Sequence, residues 1–291
     1  MTIAVEALPG NFGARVTGLQ VQHVGEGDLR DLLQLLLDHR FIVIPDQSLS
    51  NEEYVAFGRR WGRPVILISS DNRLDSHPEM IRQSNSGKVP EFFRNNANHW
   101  HCDSSYEEEV ATATMLYGVE SPEQDGVTLF ADMVRAYEAL PPHERDLLSG
   151  LNVQHAVSAA TALPGEDIAD LSRMPPELRQ NAKIPPPVIH PLVQRHPVSG
   201  RSALYGLGGS CYGVEGLDPA EGHDLLLRLR HHAARDEFVS QYKLMPGDVL
   251  IWDNFSVMHR ATPIQYSDDE GRRRLNYRIS VKGVPSFALS V

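Results

Sequence analysis

Cysteines, basic residues and long apolar runs are scarce in this sequence, and each shortage argues against a class of protein. Only Cys102 and Cys211 are cysteines among the 291 residues, too few for a disulfide framework or a four-cysteine zinc site. Lysine and arginine number 27 against 38 aspartates and glutamates, which gives a net charge of −11. We therefore expect no nucleic acid and no anionic membrane surface as the main partner, because both require a basic face.

The apolar runs are also short. Examples are the stretches at 35–37 and 41–44, whereas a membrane-spanning helix needs ~20 apolar residues. The opening MTIAVEALPGNFGARV has no basic start followed by a long apolar core, which disfavours a signal peptide. Apolar residues make up 41% and charged residues 22%, as in folded soluble proteins. We expect a cytoplasmic protein with reduced thiols.

The N-terminal part of the chain predicts helices around a buried strand. Leucines at helical spacing predict a helix over 27–39, and a short apolar strand follows at 41–45. Ser50 and Glu53 stand three residues apart, as in a capping box. They predict a second helix that ends near Trp61.

The rest of the chain predicts many short strands with a few helices. Helices are expected at 132–149, with an interruption at 141–142, and at 218–234. The clearest strands are expected at 111–119, 126–130, 188–193, 203–208, 237–244, 248–252 and 274–282.

Strands and helices do not alternate regularly, which disfavours a doubly wound sheet. We expect an α+β, mainly β protein with a double-stranded β-helix (jelly-roll) core and flanking helices. One domain is expected over 1–291, within which the irregular stretch 156–187 is a lid or an insertion.

One histidine motif has the spacing of a metal site. The chain has two His-x-Asp/Glu triplets, close to the ~1.7 that chance predicts for its composition, so the setting must decide between them. His77-Pro-Glu79 lies in a loop-like segment and is interpreted as a surface feature. His101 and Asp103 could share one face of an extended strand, since alternate side chains point to the same side. His259 follows a buried strand and would complete a two-histidine, one-carboxylate site, as in non-haem Fe(II) oxygenases. Taken alone, it could equally be a satisfied core histidine.

An ordered set of short motifs then runs through nearly the whole chain. The blocks lie at 13–18, 46–62, 100–105, 126–130, 136–141, 246–248, 252–254, 259–262 and 274–278. With these blocks the chain resembles the Fe(II)/2-oxoglutarate-dependent dioxygenases of the taurine/dichlorophenoxyacetate dioxygenase family. The resemblance implies hydroxylation of an unactivated C–H bond, with Fe(II), 2-oxoglutarate and O₂ as cofactors and co-substrates. Succinate and CO₂ are the implied co-products, and bond cleavage can follow.

The resemblance also implies roles for individual residues. His101, Asp103 and His259 correspond to the iron ligands. Arg278 and Thr128 correspond to the side chains that hold the distal carboxylate of 2-oxoglutarate, where a planar guanidinium suits bidentate pairing.

Three further positions are candidates for substrate binding. Arg274 corresponds to an arginine that binds the acidic group of the substrate, and Asn98 and Tyr106 are candidates for the pocket wall. Arg274 and Arg278 would lie on one face of a strand, ~13 Å apart.

The substrate class is less sharply defined. The stretches at 100–105, 214–217, 220–222 and 237–239 resemble those of the dichlorophenoxyacetate branch, which favours a small carboxylate-bearing substrate of aryloxyalkanoate type. The acidic run 107–109 leaves open an amine-bearing substrate, although a solvated face is the simpler interpretation. The sequence is also compatible with a hydroxylase or desaturase of amino-acid-derived or natural-product intermediates, with a metal-dependent jelly-roll hydrolase or isomerase, and with a non-catalytic binding protein. The resemblance further suggests a homo-oligomer, either a dimer or a tetramer.

Overall fold

The computed structural model of the protein describes residues 3–66, 73–87, 96–157 and 186–288. Within these ranges the helices are α1 (Glu26–His39), α2 (Asn51–Trp61), α3 (Met133–Glu138), α4 (Pro142–Ser149) and α5 (Pro219–Ala233). The first eight strands are β1 (Ala4–Ala7), β2 (Ala14–Thr17), β3 (Phe41–Ile44), β4 (Arg63–Pro64), β5 (Arg73–Leu74), β6 (His77–Ser84), β7 (Ala111–Glu120) and β8 (Val127–Asp132). The remaining strands are β9 (Asn152–His155), β10 (Val188–Pro191), β11 (Val193–Arg195), β12 (Ser202–Leu204), β13 (Cys211–Val214), β14 (Val239–Lys243), β15 (Val249–Asp253), β16 (Val257–Ala261) and β17 (Leu275–Lys282).

A large sheet carries the N-terminal helices on one face. Its strand order is β1-β2-β3-β15-β7-β17-β6-β5, and β4 pairs with β17. Every residue of β3 and β15 is buried, as expected for central strands covered on both faces. On one face, Ile42 and Val249 pack against the apolar sides of α1 and α2. On the other face, Phe41 and Leu250 point into the interior of the sandwich.

A small sheet of β14, β8 and β16 closes this interior from the other side. The Phe130 ring of β8 stacks on Phe41 of the large sheet at a centroid distance of 4.5 Å. Alternation along β16 sends Val257 into the sandwich and Met258 to an outer apolar cluster with α3 and α5. His259, the next residue, therefore points back into the sandwich.

Most of the predicted elements are present. The capping box of α2 is formed, because Glu53 N–H donates to Ser50 Oγ and Ser50 N–H donates to Glu53 Oε2. The mainly β, α+β fold with a jelly-roll core and flanking helices is confirmed. The strand expected at 203–208 was placed wrongly: β12 ends at Leu204, and the later strand β13 was missed.

Two predictions about chain organisation are not tested. The proposed lid or insertion at 156–187 lies almost entirely outside the described residues, which leave out 158–185. The single domain over 1–291 therefore also stays a prediction. Among the helices in the described ranges, none has the length and apolar character needed to cross a membrane.

Candidate active site

The imidazoles of His101 and His259 converge because their backbones pair directly. Each residue donates its N–H to the carbonyl of the other at 2.9 Å, which forms an isolated antiparallel bridge. Residues opposite each other in an antiparallel pair present their side chains to the same face. The two ring centroids are accordingly 4.2 Å apart.

Asp103 brings a carboxylate to the same point from a turn. The sequence predicted an extended strand from His101 to Asp103, and this is wrong beyond His101. Only His101 pairs, while residues 103–106 form a turn with Ser104 at φ 56°. The carboxylate is buried, with Oδ1 lying 3.9 Å from His101 Nε2 and Oδ2 lying 3.8 Å from His259 Nε2.

The protonation of these three groups suits a cation. Burial lowers the pKa of both His101 and His259, so each ring keeps a nitrogen lone pair at neutral pH. His101 Nδ1 donates to the carbonyl of His99 at 2.8 Å, which leaves Nε2 free to act as a ligand. Burial opposes ionisation of Asp103, but Arg278, both imidazoles and a hydrogen bond from Thr114 outweigh it and lower its pKa to about 2.

The donor set fits a divalent iron ion. One ligand atom from each of His101, Asp103 and His259 can be chosen so that all three lie within 4.8 Å of one another. Two imidazoles and one carboxylate leave open positions for a co-substrate and O₂. Elsewhere in the described part of the chain, no comparable group of three ligating side chains is found.

Arg278 lies against this group rather than apart from it. Its Nη2 donates to Asp103 Oδ1 at 2.8 Å, and its Nε and Nη2 donate to Ser280 Oγ at 3.2 and 3.1 Å. The guanidinium therefore places a positive charge directly beside the ion position.

Arg274 and Thr128 lie at one end of the sandwich. Arg274 immediately precedes β17, whose first residue pairs with Glu120 at the end of β7, and the loop 121–126 connects β7 to β8. Thr128 is the second residue of β8 and shares its inner face with Phe130, whose ring centroid is 6.3 Å from that of His259. Arg274 Nε is sealed from solvent and has no hydrogen-bond partner among the described residues, and burial lowers the pKa of its guanidinium.

The other predicted site residues take different positions. Burial, followed by the negative charge of Glu107, raises the pKa of Tyr106 to about 12. The charge of Arg278 opposes this rise, and that of Asp103 adds to it. Asn98 ends a short 3₁₀ turn three residues before His101. Cys102 points to the outer apolar cluster, and burial raises the pKa of its thiol to about 12.

Sequence reasoning missed two polar residues that contact the site. Thr114 Oγ1 donates to Asp103 Oδ2 at 2.6 Å, and Ser280 Oγ lies 2.9 Å from Thr114 Oγ1. Both lie on strands that read only as β-structure, and nothing in the sequence separates them from other strand hydroxyls. Asn254 Nδ2 donates to Thr114 Oγ1 at 3.0 Å.

Comparison with known proteins places the chain in a family. The family model described as taurine catabolism dioxygenase TauD, TfdA family matches residues 4–279. An alpha-ketoglutarate-dependent 2,4-dichlorophenoxyacetate dioxygenase of Cupriavidus pinatubonensis is 34% identical over 288 residues, which cover 94% of this chain and 97% of the relative. An (S)-phenoxypropionate/alpha-ketoglutarate-dioxygenase of Sphingobium herbicidovorans is 28% identical, over 97% and 96% of the two chains.

Solved structures agree with this assignment. The crystal structure of AAD-2 in complex with Mn(II) and N-oxalylglycine superposes with a TM-score of 0.77 at 27% identity, over 98% of both chains. The predicted family, the reaction class and the use of Fe(II), 2-oxoglutarate and O₂ are confirmed. The chain belongs to the TauD/TfdA family of alpha-ketoglutarate-dependent dioxygenases.

Proposed function

We propose that this dioxygenase oxidises a C–H bond in a small carboxylic acid of aryloxyalkanoate type, with His101, Asp103 and His259 as the iron ligands. The observation that carries the proposal is a pair of arginines, Arg278 in β17 and Arg274 immediately before that strand. Arg278 contacts Asp103, and Arg274 has no acidic partner among the described residues. The relatives named for 2,4-dichlorophenoxyacetate and phenoxypropionate support the same substrate class.

A balance of charges supports an anionic substrate. The two arginines and a divalent ion bring four positive charges, because the imidazoles of His101 and His259, whose pKa values are lowered, stay neutral. Asp103 supplies one negative charge and 2-oxoglutarate supplies two. One positive charge remains, and a buried charge is expected to be paired. A monocarboxylate substrate would balance it.

The contacts of the two arginines favour roles opposite to those that the resemblance suggested. Arg278 is next to the ion position, where a substrate lies beside iron without binding it. Arg274 immediately precedes β17, at the end of the sandwich where Thr128 is found. The distal carboxylate of a chelating 2-oxoglutarate also lies away from the ion. We therefore propose that Arg274 and Thr128 hold 2-oxoglutarate and that Arg278 binds the acidic group of the substrate.

The surrounding acidic residues do not favour an amine-bearing substrate. Glu107 forms an ion pair with Lys282, and Glu109 forms one with Arg63. Glu108, the third member of the acidic run, is exposed. Two of these three charges are thus paired within the chain rather than directed at a ligand.

The chain itself orients the reactants and controls polar contacts at the site. Bound Fe(II), together with 2-oxoglutarate and O₂, supplies the oxidation and yields succinate and CO₂. Tyr106 stays protonated at neutral pH, since its pKa is raised to about 12. It can donate a hydrogen bond, and we propose Tyr106 and Asn98 as pocket residues.

Steady-state kinetics with 2,4-dichlorophenoxyacetate tests the proposal. Arg274→Gln is expected to raise the KM for 2-oxoglutarate, and Arg278→Gln the KM for the acid, each by about 10- to 100-fold, the size of a lost hydrogen bond to a charged group. Arg272→Gln, at an exposed position, is the matched control and should leave both constants unchanged. The opposite pattern of KM changes would restore the assignment suggested by the resemblance.

A second arm tests the substrate class. Succinate release should respond to aryloxyacetates and aryloxypropionates but not to their methyl esters, which lack the charge that pairs with Arg278. Equal turnover of acid and ester would contradict the proposed carboxylate recognition. Assembly as a dimer or tetramer, a cytoplasmic location, and the absence of nucleic-acid or membrane partners stay predictions.

A further inference from the structure

A chain of buried hydrogen bonds leads from the core of the sandwich to Asp103. Trp252 Nε1 donates to Asn254 Oδ1 at 3.0 Å, Asn254 Nδ2 donates to Thr114 Oγ1 at 3.0 Å, and Thr114 Oγ1 lies 2.6 Å from Asp103 Oδ2. All four residues are buried. Water therefore does not compete for these polar groups, and they must find their hydrogen-bond partners within the protein.

Each donor hydrogen in this series of hydrogen bonds has only one possible acceptor. The indole N–H can only donate, so the oxygen of the Asn254 amide must face Trp252 and its nitrogen must face Thr114. Thr114 Oγ1 accepts that hydrogen bond, and the hydroxyl can donate its own hydrogen to one acceptor. The neighbouring acceptors are Asp103 Oδ2 at 2.6 Å and Ser280 Oγ at 2.9 Å.

Ser280 is already committed as an acceptor. Arg278 donates to its oxygen twice, from Nε and from Nη2, at 3.2 and 3.1 Å. With both lone pairs occupied, Ser280 donates its own hydrogen to Thr114. The hydroxyl hydrogen of Thr114 therefore goes to Asp103 Oδ2.

We propose that Thr114 is a positioning residue of the metal site and fixes the orientation of the Asp103 carboxylate. Trp252 acts through Asn254 to orient the hydroxyl group of Thr114. This rests on the proposed role of Asp103 as a ligand. Thr114 holds Oδ2 and Arg278 holds Oδ1, so the carboxylate plane is set before an ion arrives. Partners of this kind that orient a ligand typically change metal affinity by about 10- to 100-fold when removed.

Binding of Mn(II) alone to the metal-free full chain tests the proposal without turnover. The loss of the free-ion EPR signal on titration gives the affinity. Thr114→Val, which keeps the shape and removes the hydroxyl, should weaken Mn(II) binding by about 10-fold or more. Thr112→Val is the matched control, since Thr112 lies on the same strand but donates only to the carbonyls of Val281 and Gly283. It should bind as the wild type does.

A double-mutant cycle separates the effect of Trp252 through its hydrogen bond to Asn254 from its effect through packing. Trp252 also packs on His259, with ring centroids 4.7 Å apart. Trp252→Phe keeps that ring contact and removes the N–H. If Trp252 acts through Thr114, the double variant binds no more weakly than Thr114→Val alone. Losses that multiply would overturn the aiming role, and an unchanged affinity in Thr114→Val would overturn the proposal as a whole.

His101→Ala distinguishes this failure from failure of the proposed function. If His101→Ala binds Mn(II) like the wild type, the ion does not use the proposed site. If His101→Ala loses binding while Thr114→Val keeps it, only the positioning role is wrong. Trp252→Phe also covers the case in which Thr114→Val does not fold. Aiming through Asn254 then requires that Trp252→Phe alone weaken binding, and wild-type affinity in that variant would overturn it.

Discussion

Asp132 combines two buried contacts in one carboxylate. Its Oδ1 accepts from the N–H groups of Val134 and Arg135, which caps helix α3, and also from Arg40 Nε at 3.2 Å. Arg40 and Asp132 are both almost fully buried. Removal of Asp132 leaves the Arg40 charge unpaired inside the protein, a far larger loss than that of an exposed ion pair.

We therefore predict that Asp132→Ala lowers the free energy of unfolding by about 3–5 kcal/mol in urea denaturation. Asp132→Asn keeps the cap and should lose about 1 kcal/mol less. Glu26→Ala removes the exposed Glu26–Arg30 pair and serves as the control, with a change below about 1 kcal/mol. A wild-type stability for Asp132→Ala would show that the buried pair does not stabilise the fold.

Single residues also show how far the site could be predicted from the sequence. The spacing and setting of His101, Asp103 and His259 indicated a metal site because only a few residue types bind iron. Thr114 and Ser280 gave no such signal, since a hydroxyl in a strand is common. The resemblance assigned Arg278 to 2-oxoglutarate and Arg274 to the substrate, but their spacing alone could not test that assignment. Side chains four residues apart on a strand share a face, and only the contact with Asp103 distinguishes them.

At the scale of elements, the loop before β13 lies directly against the backbone of Trp100 and His101. A Cβ atom added to Gly208 would lie 2.4 Å from His101 Cα and 2.7 Å from the carbonyl oxygen of Trp100. Gly209 donates its N–H to the same carbonyl at 3.0 Å, which ties the loop in place. A side chain at position 208 must therefore displace His101.

We predict that Gly208→Ala weakens Mn(II) binding by about 10-fold or more, because a metal site tolerates only small displacements of its ligands. Gly209→Ala is the matched control, since a Cβ atom there meets nothing within 4 Å. Calorimetric titration of both variants gives the comparison. Equal affinities would mean that the loop yields without moving His101.

The elements predicted best are those in which pattern and environment agree. The apolar runs of β3 and β15 identified two neighbouring interior strands of the large sheet, since both faces of these strands are buried. The turn at 103–106 was missed, because its positive φ falls on Ser104 and no glycine marks it in the sequence. The strand β13 was missed as well, since four residues carry little periodicity.

At the scale of the whole molecule, the fold holds several histidines neutral in its interior. Burial lowers the pKa of His101, His190 and His259, and it lowers that of His155 to about 3. The unfolded chain releases its histidine protons near pH ~6.5. Below that pH the unfolded state binds more protons than the folded state, so the free energy of unfolding decreases as the pH falls.

His155 offers the clearest test of this linkage, since it is fully buried and lies away from the proposed ligands, beside His190 and Tyr205. Between about pH 7.5 and about pH 5 it should account for about 2 kcal/mol of the loss in unfolding free energy of the metal-free protein. We predict that urea denaturation of His155→Leu shows a correspondingly smaller loss over this range, whatever its stability at neutral pH. His231→Leu, at an exposed position, should run parallel to the wild type. A parallel curve for His155→Leu would instead mean that His155 takes up its proton over the same pH range in the folded and the unfolded protein, so that burial does not exclude the charge.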